Sequence, residues 1–474
     1  MSKKISVVFV LAALCALSFF LVSCGGSSSR PSSLLYVLAQ GTNGVGNFVS
    51  TFAIDLTSGA LSLVNSNATT CSTTGATSCG PPLDIVLDPT GATAVVLNQG
   101  VPSPDPSANI PPTVYPYTVN SDGSLSNPLA PVYWTCVVPA GTACSPSNAY
   151  PDTPQKMVRD ATGQFLFIID QGVYPSPTTC PAIAAPAMTS TDAANFAGCP
   201  SITVFATTPG TATPTLVSQS STYQSPLFLS KIPTGVSAIP FTPPGGSAQE
   251  LLFVTNNVDI CTVGCNPVHN DNTVSVYMVG STGLLTEQAF SPYTISTVNP
   301  ISVLAVNTNP PTTNSGGIFV YVGSQPSTSG AISIFTICTV VGNNACTAED
   351  VANSQMVPVD VQSSASSTPV DMIVDPTNNF LYVLFQGSNV LYGFTINTTS
   401  GKLTAQTPAS VPTGSQPVAM AMRSSVQENP GQFLYVSNTN SSNITGYSLS
   451  TTSGSMTNET TTVSPAGPTG MAAR

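Results

Sequence analysis

One unit recurs seven times along this chain, and no other feature narrows the possible folds so far. Each copy opens on a proline, runs through a short apolar stretch and turns into a second one. The clearest copies are Pro369–Val374, leading into Phe380-Leu381-Tyr382-Val383, and Pro417–Met422, leading into Phe433-Leu434-Tyr435-Val436. The opening prolines are Pro82, Pro154, Pro233, Pro300, Pro369, Pro417 and Pro468. Units that repeat in this way bury their cores only against their neighbours, so the recurrence implies one large domain rather than several small ones.

Pro369, Pro417 and Pro468 stand 48 and 51 residues apart, close to the ~40–50 residues of a compact four-stranded propeller blade. The longer intervals before Pro369 leave room for loop insertions. In the copy that opens at Pro369, strand A is expected over 370–374, B over 380–385, C over 390–396, and D from about Leu403. Apolar and β-branched residues dominate A and B, as in strands covered on both faces. Turn residues separate them, and no stretch keeps a helical period over three turns. The ends of the chain complement each other. Residues 468–474 read as a strand A with nothing after it, and 34–38 as a strand B with no strand A before it. Joining them closes the ring and removes the open sheet edge. The expected fold is all-β: a seven-bladed propeller of four-stranded antiparallel blades over residues 34–474, closed by the C-terminal strand.

Composition points outside the cytoplasm. Charged residues are 6% of the chain, against 41% hydrophobic, and the formal net charge is −11. Ordinary soluble domains carry roughly 25% charged residues. With no basic run, nucleic-acid binding is excluded as an expectation. Lys3 and Lys4 precede a nearly continuous apolar run over 5–22 that ends in Leu21-Val22-Ser23-Cys24. This resembles a bacterial lipobox. Residues 1–23 are then a signal peptide, Cys24 the lipidated residue and 24–33 a flexible tether. Lipid on Cys24 would hold the protein to a membrane while the fold stays in water. Gly25 after the cysteine resembles the pattern of lipoproteins sent to the outer membrane, facing either the periplasm or the surface.

Cysteine spacing agrees with that compartment. The chain has 12 cysteines. Apart from Cys15 and Cys24, they fall into close pairs: Cys71/Cys79, Cys136/Cys144, Cys180/Cys199, Cys261/Cys265 and Cys338/Cys346. An even count in local pairs, in an exported chain, reads as disulfides that each staple one loop. All but the last pair fall in D–A or B–C connections, which share one face of a propeller.

The segments Phe433–Asn438 and Leu251–Asn256, with the turns Thr57-Ser58-Gly59-Ala60-Leu61 and Thr399-Ser400-Gly401-Lys402-Leu403, resemble the YVTN-type propellers. That superfamily includes lactonase-like seven-bladed propellers related to 6-phosphogluconolactonase. The resemblance covers roughly 34–474. It implies the fold and allows a lactonase activity, but it carries over no catalytic motif, and a propeller hosts unrelated functions.

Strand A lines the central channel. Aligning the prolines places Asp84, Lys156, Gly235, Ser302, Asp371, Ala419 and Gly470 at one level. Asp84, Lys156, Ser302 and Asp371 are therefore the candidate ligand-binding residues. Asp84, Lys156, Asp371 and Arg159 are the candidates for acid–base work. A carboxylate next to Lys156 is expected to have a lowered pKa. Asp88, Asp160 and Asp375 follow strand A and read as turn caps. The single histidine, His269, has no standard zinc spacing around it, and no nucleophile elbow or phosphate loop appears. No metal or cofactor is expected. The favoured reading is a monomeric, membrane-anchored, extracytoplasmic propeller. It would bind an envelope protein or a small-molecule or carbohydrate ligand through its D–A/B–C face. The alternatives are a lactonase-like hydrolase working on a sugar lactone in the channel, and a structural envelope lipoprotein.

Overall fold

A computed structural model describes residues 33–40, 47–70, 79–101, 110–126, 128–135, 138–139, 152–172, 198–211, 213–217, 223–224, 227–243, 246–259, 272–308, 317–325, 329–423, 432–463 and 467–474. Seven antiparallel sheets stand in a ring. Blade one joins the two ends of the chain: strand A is Pro468–Ala473, B is Leu34–Ala39, C is Phe48–Ile54 and D is Leu61–Thr69. Strand A of the other blades is Pro82–Leu87, Pro154–Arg159, Lys231–Phe241, Pro300–Asn307, Pro369–Val374 and Pro417–Met422. Each strand A packs against strand A of the next blade, and the contacts run all the way round the axis. The terminal strands pair with Leu35 opposite Ala473 and Val37 opposite Met471, so the ring is closed as expected.

The core is divided as a repeat architecture requires. Every hydrophobic cluster straddles one interface between adjacent blades, and all seven interfaces have one. Strand B supplies most of it. Leu34–Ala39, Thr93–Asn98, Phe165–Asp170, Phe380–Phe385 and Gln432–Asn438 are buried along their whole length. A strand sandwiched between two neighbouring sheets has no solvent face, which is why these segments read as continuous apolar runs.

The aromatic and glycine signatures are the two halves of one contact. Tyr435 donates its hydroxyl to the carbonyl of Gly59 at 2.8 Å, Tyr382 to Gly454 at 2.8 Å, Tyr321 to Gly401 at 3.0 Å and Tyr36 to Gly123 at 2.8 Å. In each case strand B of one blade reaches the C–D turn of the next. The glycine has a positive φ, +75° at Gly401, and a Cβ there would lie 2.3 Å from the ring of Phe319. Only glycine both adopts that turn and admits the neighbouring ring.

The prolines have an equivalent role at the axis. Their carbonyls accept hydrogen bonds from the preceding blade: Pro82 from Thr469, Pro233 from Gln171, Pro300 from Thr234, Pro369 from Ser302, Pro417 from Gln386 and Pro468 from Thr439. A proline at the strand start has no N–H to leave unsatisfied while its C=O ties the ring together.

Three local details depart from the regular pattern. Blade two keeps three full strands, and its outer edge is reduced to bridges at Val114–Val132 and Val119–Leu125, because the segment after Thr118 turns back at once. Blade four's strand A starts at Lys231, ahead of Pro233, since Lys231 and Ile232 find partners in Asp259 and Val258. A short helix, Ala348–Ala352, interrupts the C–D connection of blade five, held by a capping box between Thr347 and Asp350.

Candidate functional site

The level at which Asp84, Lys156 and Asp371 stand is marked by a bulge. In blades two to seven the A–B register slips between the opening proline and the third residue of the unit, and blade one slips between Val37 and Ala39, opposite the same step. A bulge re-aims the side chains beside it. It turns the third residue of each copy towards the axis, where the seven residues at this step differ most.

There the structure brings together three of the four acid–base candidates. Lys156 Nζ lies 2.7 Å from Asp371 Oδ1, an ion pair that crosses the channel from blade three to blade six. The second oxygen of Asp371 accepts the N–H of Met420 at 2.9 Å. Asp84 sits alongside, accepting the N–H of Met157 at 3.0 Å and that of Ile85 at 2.9 Å. Blades two and six thus use the same device, a carboxylate accepting a main-chain N–H of the next blade's strand A. Ser302 donates its hydroxyl to Pro369 O at 2.7 Å. A cavity of about 160 Å³ lies between strands A of blades three to six, lined by Lys156, Thr234, Ser237, Ser302 and Asp371 among apolar neighbours.

The electrostatics differ from the sequence expectation. Burial pushes the Asp84 carboxyl up to about 6 against the pull of Lys156 and of the Met157 and Ile85 N–H groups, and Asp371 adds a small push in the same direction. The expected lowering fails at Asp84 because Lys156 spends its close contact on Asp371. For Lys156, burial works to lower the pKa, but the carboxylates of Asp371 and Asp84 outweigh it and hold the ammonium above its ordinary value. The Lys156 side chain remains 39% exposed, against 12% for Asp371. The cation is therefore the more reachable of the two.

Arg159 does not join this group. It ends its strand on the A–B-turn side, where its guanidinium donates to Thr207 Oγ1 at 3.2 Å and lines a separate cavity of about 430 Å³ with Asp88 and Arg474. Arg474 donates to Gly91 O at 3.3 Å, tying blade one to blade two. The turn residues are caps: Asp88 accepts the N–H of Thr93, Asp160 that of Phe165, and Asp375 those of Thr377, Asn379 and Phe380. Thr234 and Ser237 of the channel cavity were not among the sequence candidates. They stand one residue before and two after the aligned level, and nothing in the alignment of prolines marks them.

Cys338 and Cys346 form the predicted disulfide, with Cα atoms 5.7 Å apart. Cys79 and Cys199 are each disulfide-bonded. Cys24, Cys71, Cys136, Cys144, Cys180, Cys261, Cys265 and His269 lie outside the described residues. Among the described residues no three His, Cys, Asp or Glu side chains cluster as a metal site would need.

No protein-family model matches the chain. No curated protein matches it either. Solved structures do match. The periplasmic gluconolactonase of Pseudomonas aeruginosa aligns with a TM-score of 0.54 at 14% identity, over 92% of this chain and 98% of that one. A Bacteroides fragilis protein provisionally named a 6-phosphogluconolactonase aligns at 0.58 and 13% identity, over 94% and 98%. A Lactobacillus plantarum protein aligns at 0.57 and 14% identity, over 93% and 99%. The chain has the fold of these proteins. At such identities the likeness speaks for the seven-bladed ring, and the residues at the channel have to be read on their own chemistry.

Proposed function

We propose that this protein is a lipid-anchored, extracytoplasmic propeller that binds a small polar ligand of the sugar-acid or sugar-lactone class on the D–A/B–C side of its channel. The observation that carries the reading is the Lys156–Asp371 pair with Asp84 beside it, a charged group at the bulged third step of the repeat. Lys156 is reachable and cationic, suited to a carboxylate or a carbonyl oxygen. Asp371 holds it in place. Ser237 accepts the Ala305 N–H at 3.0 Å and keeps its own proton for a ligand hydroxyl. Lipid on Cys24 would keep the propeller at the membrane surface where such ligands pass.

The test is calorimetric titration with a panel of aldonic acids and their lactones. Binding to the wild type, lost in Lys156→Met and kept in Arg159→Met, supports the site. Equal binding by the Lys156→Met protein, or none by the wild type across the panel, would refute it. Mass spectrometry of the mature protein tests the anchor: the expected N-terminal peptide starts at a lipidated Cys24, and an unmodified start elsewhere excludes it.

A second reading, lactone hydrolysis, is favoured by one specific observation: the Asp84 carboxyl near 6 is poised as a base around neutrality. Asp84 would take a proton from a water whose oxygen adds to the lactone carbonyl carbon. Lys156 would stabilise the resulting oxyanion. Collapse would expel the ring oxygen, which takes the proton from Asp84, leaving a hydroxy acid and the enzyme unchanged. The rate should rise with pH about an apparent pKa near 6. A pH–rate profile unmoved by Asp84→Asn would exclude this route.

A further inference from the structure

Two carboxylates are buried at the start of blade three, and among the described residues no cation stands beside them. Asp152 is 4% exposed and Asp170 is 0% exposed. Asp170 ends strand B directly opposite Pro154, and Asp152 precedes that proline by two residues, so the two acids are diagonal neighbours where the chain enters strand A. Each has one oxygen without a hydrogen-bond partner, Oδ1 of Asp152 and Oδ2 of Asp170. The other oxygen of Asp170 accepts the N–H of Gly172 at 2.8 Å. Around them the main chain is cross-tied: Thr153 N–H to Gly172 O at 3.3 Å, Gln171 N–H to Thr153 O at 3.1 Å, and Thr153 Oγ1 to Gly172 O at 2.6 Å.

We infer that Asp152 and Asp170 share one proton and form an acid-closed latch on the segment that leads into the channel strand carrying Lys156. Two ionised carboxylates cannot be held together in a dry site without a counter-charge, whereas one proton between them supplies the missing donor and relieves the repulsion. No other charged group acts on either acid among the described residues. Burial and then the charge of Asp170 raise Asp152, while burial raises Asp170 to about 7 against the N–H groups of Gly172 and Thr153. A cation in place of the proton is poorly served. Calcium takes roughly six to eight oxygens, and no third acidic, histidine or cysteine ligand joins the pair among the described residues. The latch acts on strand entry whether or not the channel binds a sugar.

The closed form holds its proton more tightly than the open form, so closure is strongest at low pH and weakens as pH rises towards the closed-state value near 7, above which it levels off. The experiment is amide hydrogen exchange of the full-length mature protein at Thr153, Gln171 and Gly172 between pH 5 and 8, corrected for the intrinsic chemical rate. Protection should fall by roughly tenfold per pH unit and flatten above neutrality, as a one-proton linkage requires. In Asp152→Asn, whose amide can donate to an ionised Asp170, the fall in protection should weaken and move to lower pH. Asp170→Asn is the second variant if the first does not fold. Wild-type protection that is flat with pH overturns the latch, as does an Asn variant that leaves the fall unchanged. So does millimolar calcium chloride restoring protection at pH 8, which would make the pair a cation site.

Discussion

The ion pair across the channel can be weighed by a double-mutant cycle on Lys156 and Asp371. Their atoms are 2.7 Å apart, and Coulomb's law at an effective dielectric constant of 20 gives roughly 6 kcal/mol of gross attraction. Most of that is cancelled by desolvation. Breaking a fully buried pair costs ~3–5 kcal/mol and an exposed one ~0–1 kcal/mol. With 39% of the Lys156 side chain exposed and 12% of Asp371, the pair belongs between these limits. Lys156→Met should cost about 2 kcal/mol, because Asp371 would keep only the Met420 N–H in a dry site. Asp371→Leu should cost somewhat less, because Lys156 can turn to water in the channel. The double variant should be less destabilised than the sum by about 1–2 kcal/mol. Urea unfolding with an unchanged m-value is the assay. Because one partner is buried, raising the salt to 0.5 M should leave most of the coupling intact. A coupling below ~0.3 kcal/mol, or one that salt abolishes, would show that the pair is incidental to the ring and refute the strut.

Other perturbations follow from the same contacts. Tyr435→Phe removes the hydroxyl that ties blade seven to the Gly59 carbonyl at the ring seam and should cost ~1–3 kcal/mol by urea unfolding; a loss under ~0.5 kcal/mol would mean that water replaces it. Gly401→Ala combines a positive φ of +75° with a Cβ only 2.3 Å from Phe319, so it should lower the melting temperature more than Tyr435→Phe does, and a neutral result would show that the C–D turn can move away. Replacing Cys338 and Cys346 by serine opens a loop of sequence separation 8 and should cost about 2.5 kcal/mol, read as the difference between oxidised wild type and variant. Glu250, 8% exposed, has its carboxyl raised to about 7 by burial and by Asp160. Its contribution is retained at acid pH and lost as pH rises through 7. Glu250→Gln should therefore stabilise by ~1–2 kcal/mol at pH 8 and by little at pH 4.5, and equal effects at both would contradict the assignment.

Much of the ring was legible because its contacts repeat. Strand B announces itself in Phe433-Leu434-Tyr435-Val436 since both faces are buried. The prolines mark strand A because a carbonyl without its N–H suits the axis. The closure was readable from two half-blades that need each other. The meaning of the tyrosine and glycine signatures was not readable, since Tyr435 and Gly59 are 376 residues apart and only the closed ring joins them. The reduced edge of blade two was missed for a related reason: its fourth strand depends on what the segment after Thr118 meets, and its own composition does not encode that.

The channel was legible in its residues but not in its electrostatics. Alignment could place Asp84, Lys156 and Asp371 at one level, yet it could not say which carboxylate the ammonium would choose. That choice depends on where the blades stand around the axis. Blade six lies across from blade three, so a long flexible lysine spans the channel to Asp371, while Asp84 on the adjacent blade is satisfied by the Met157 N–H of the same strand. The consequence is chemical. Had Lys156 paired with Asp84, the site would hold a salt bridge and a second buried acid on the far side. As built, it holds a neutralised strut and one carboxylate shifted towards neutrality. Arg159, three residues further along the same strand, is carried to the other end of the channel by the rise of an extended chain, ~3.3 Å per residue. A pseudo-symmetric ring thus becomes chemically asymmetric at this level, which combines a reachable cation with a carboxyl whose charge can change near pH 6.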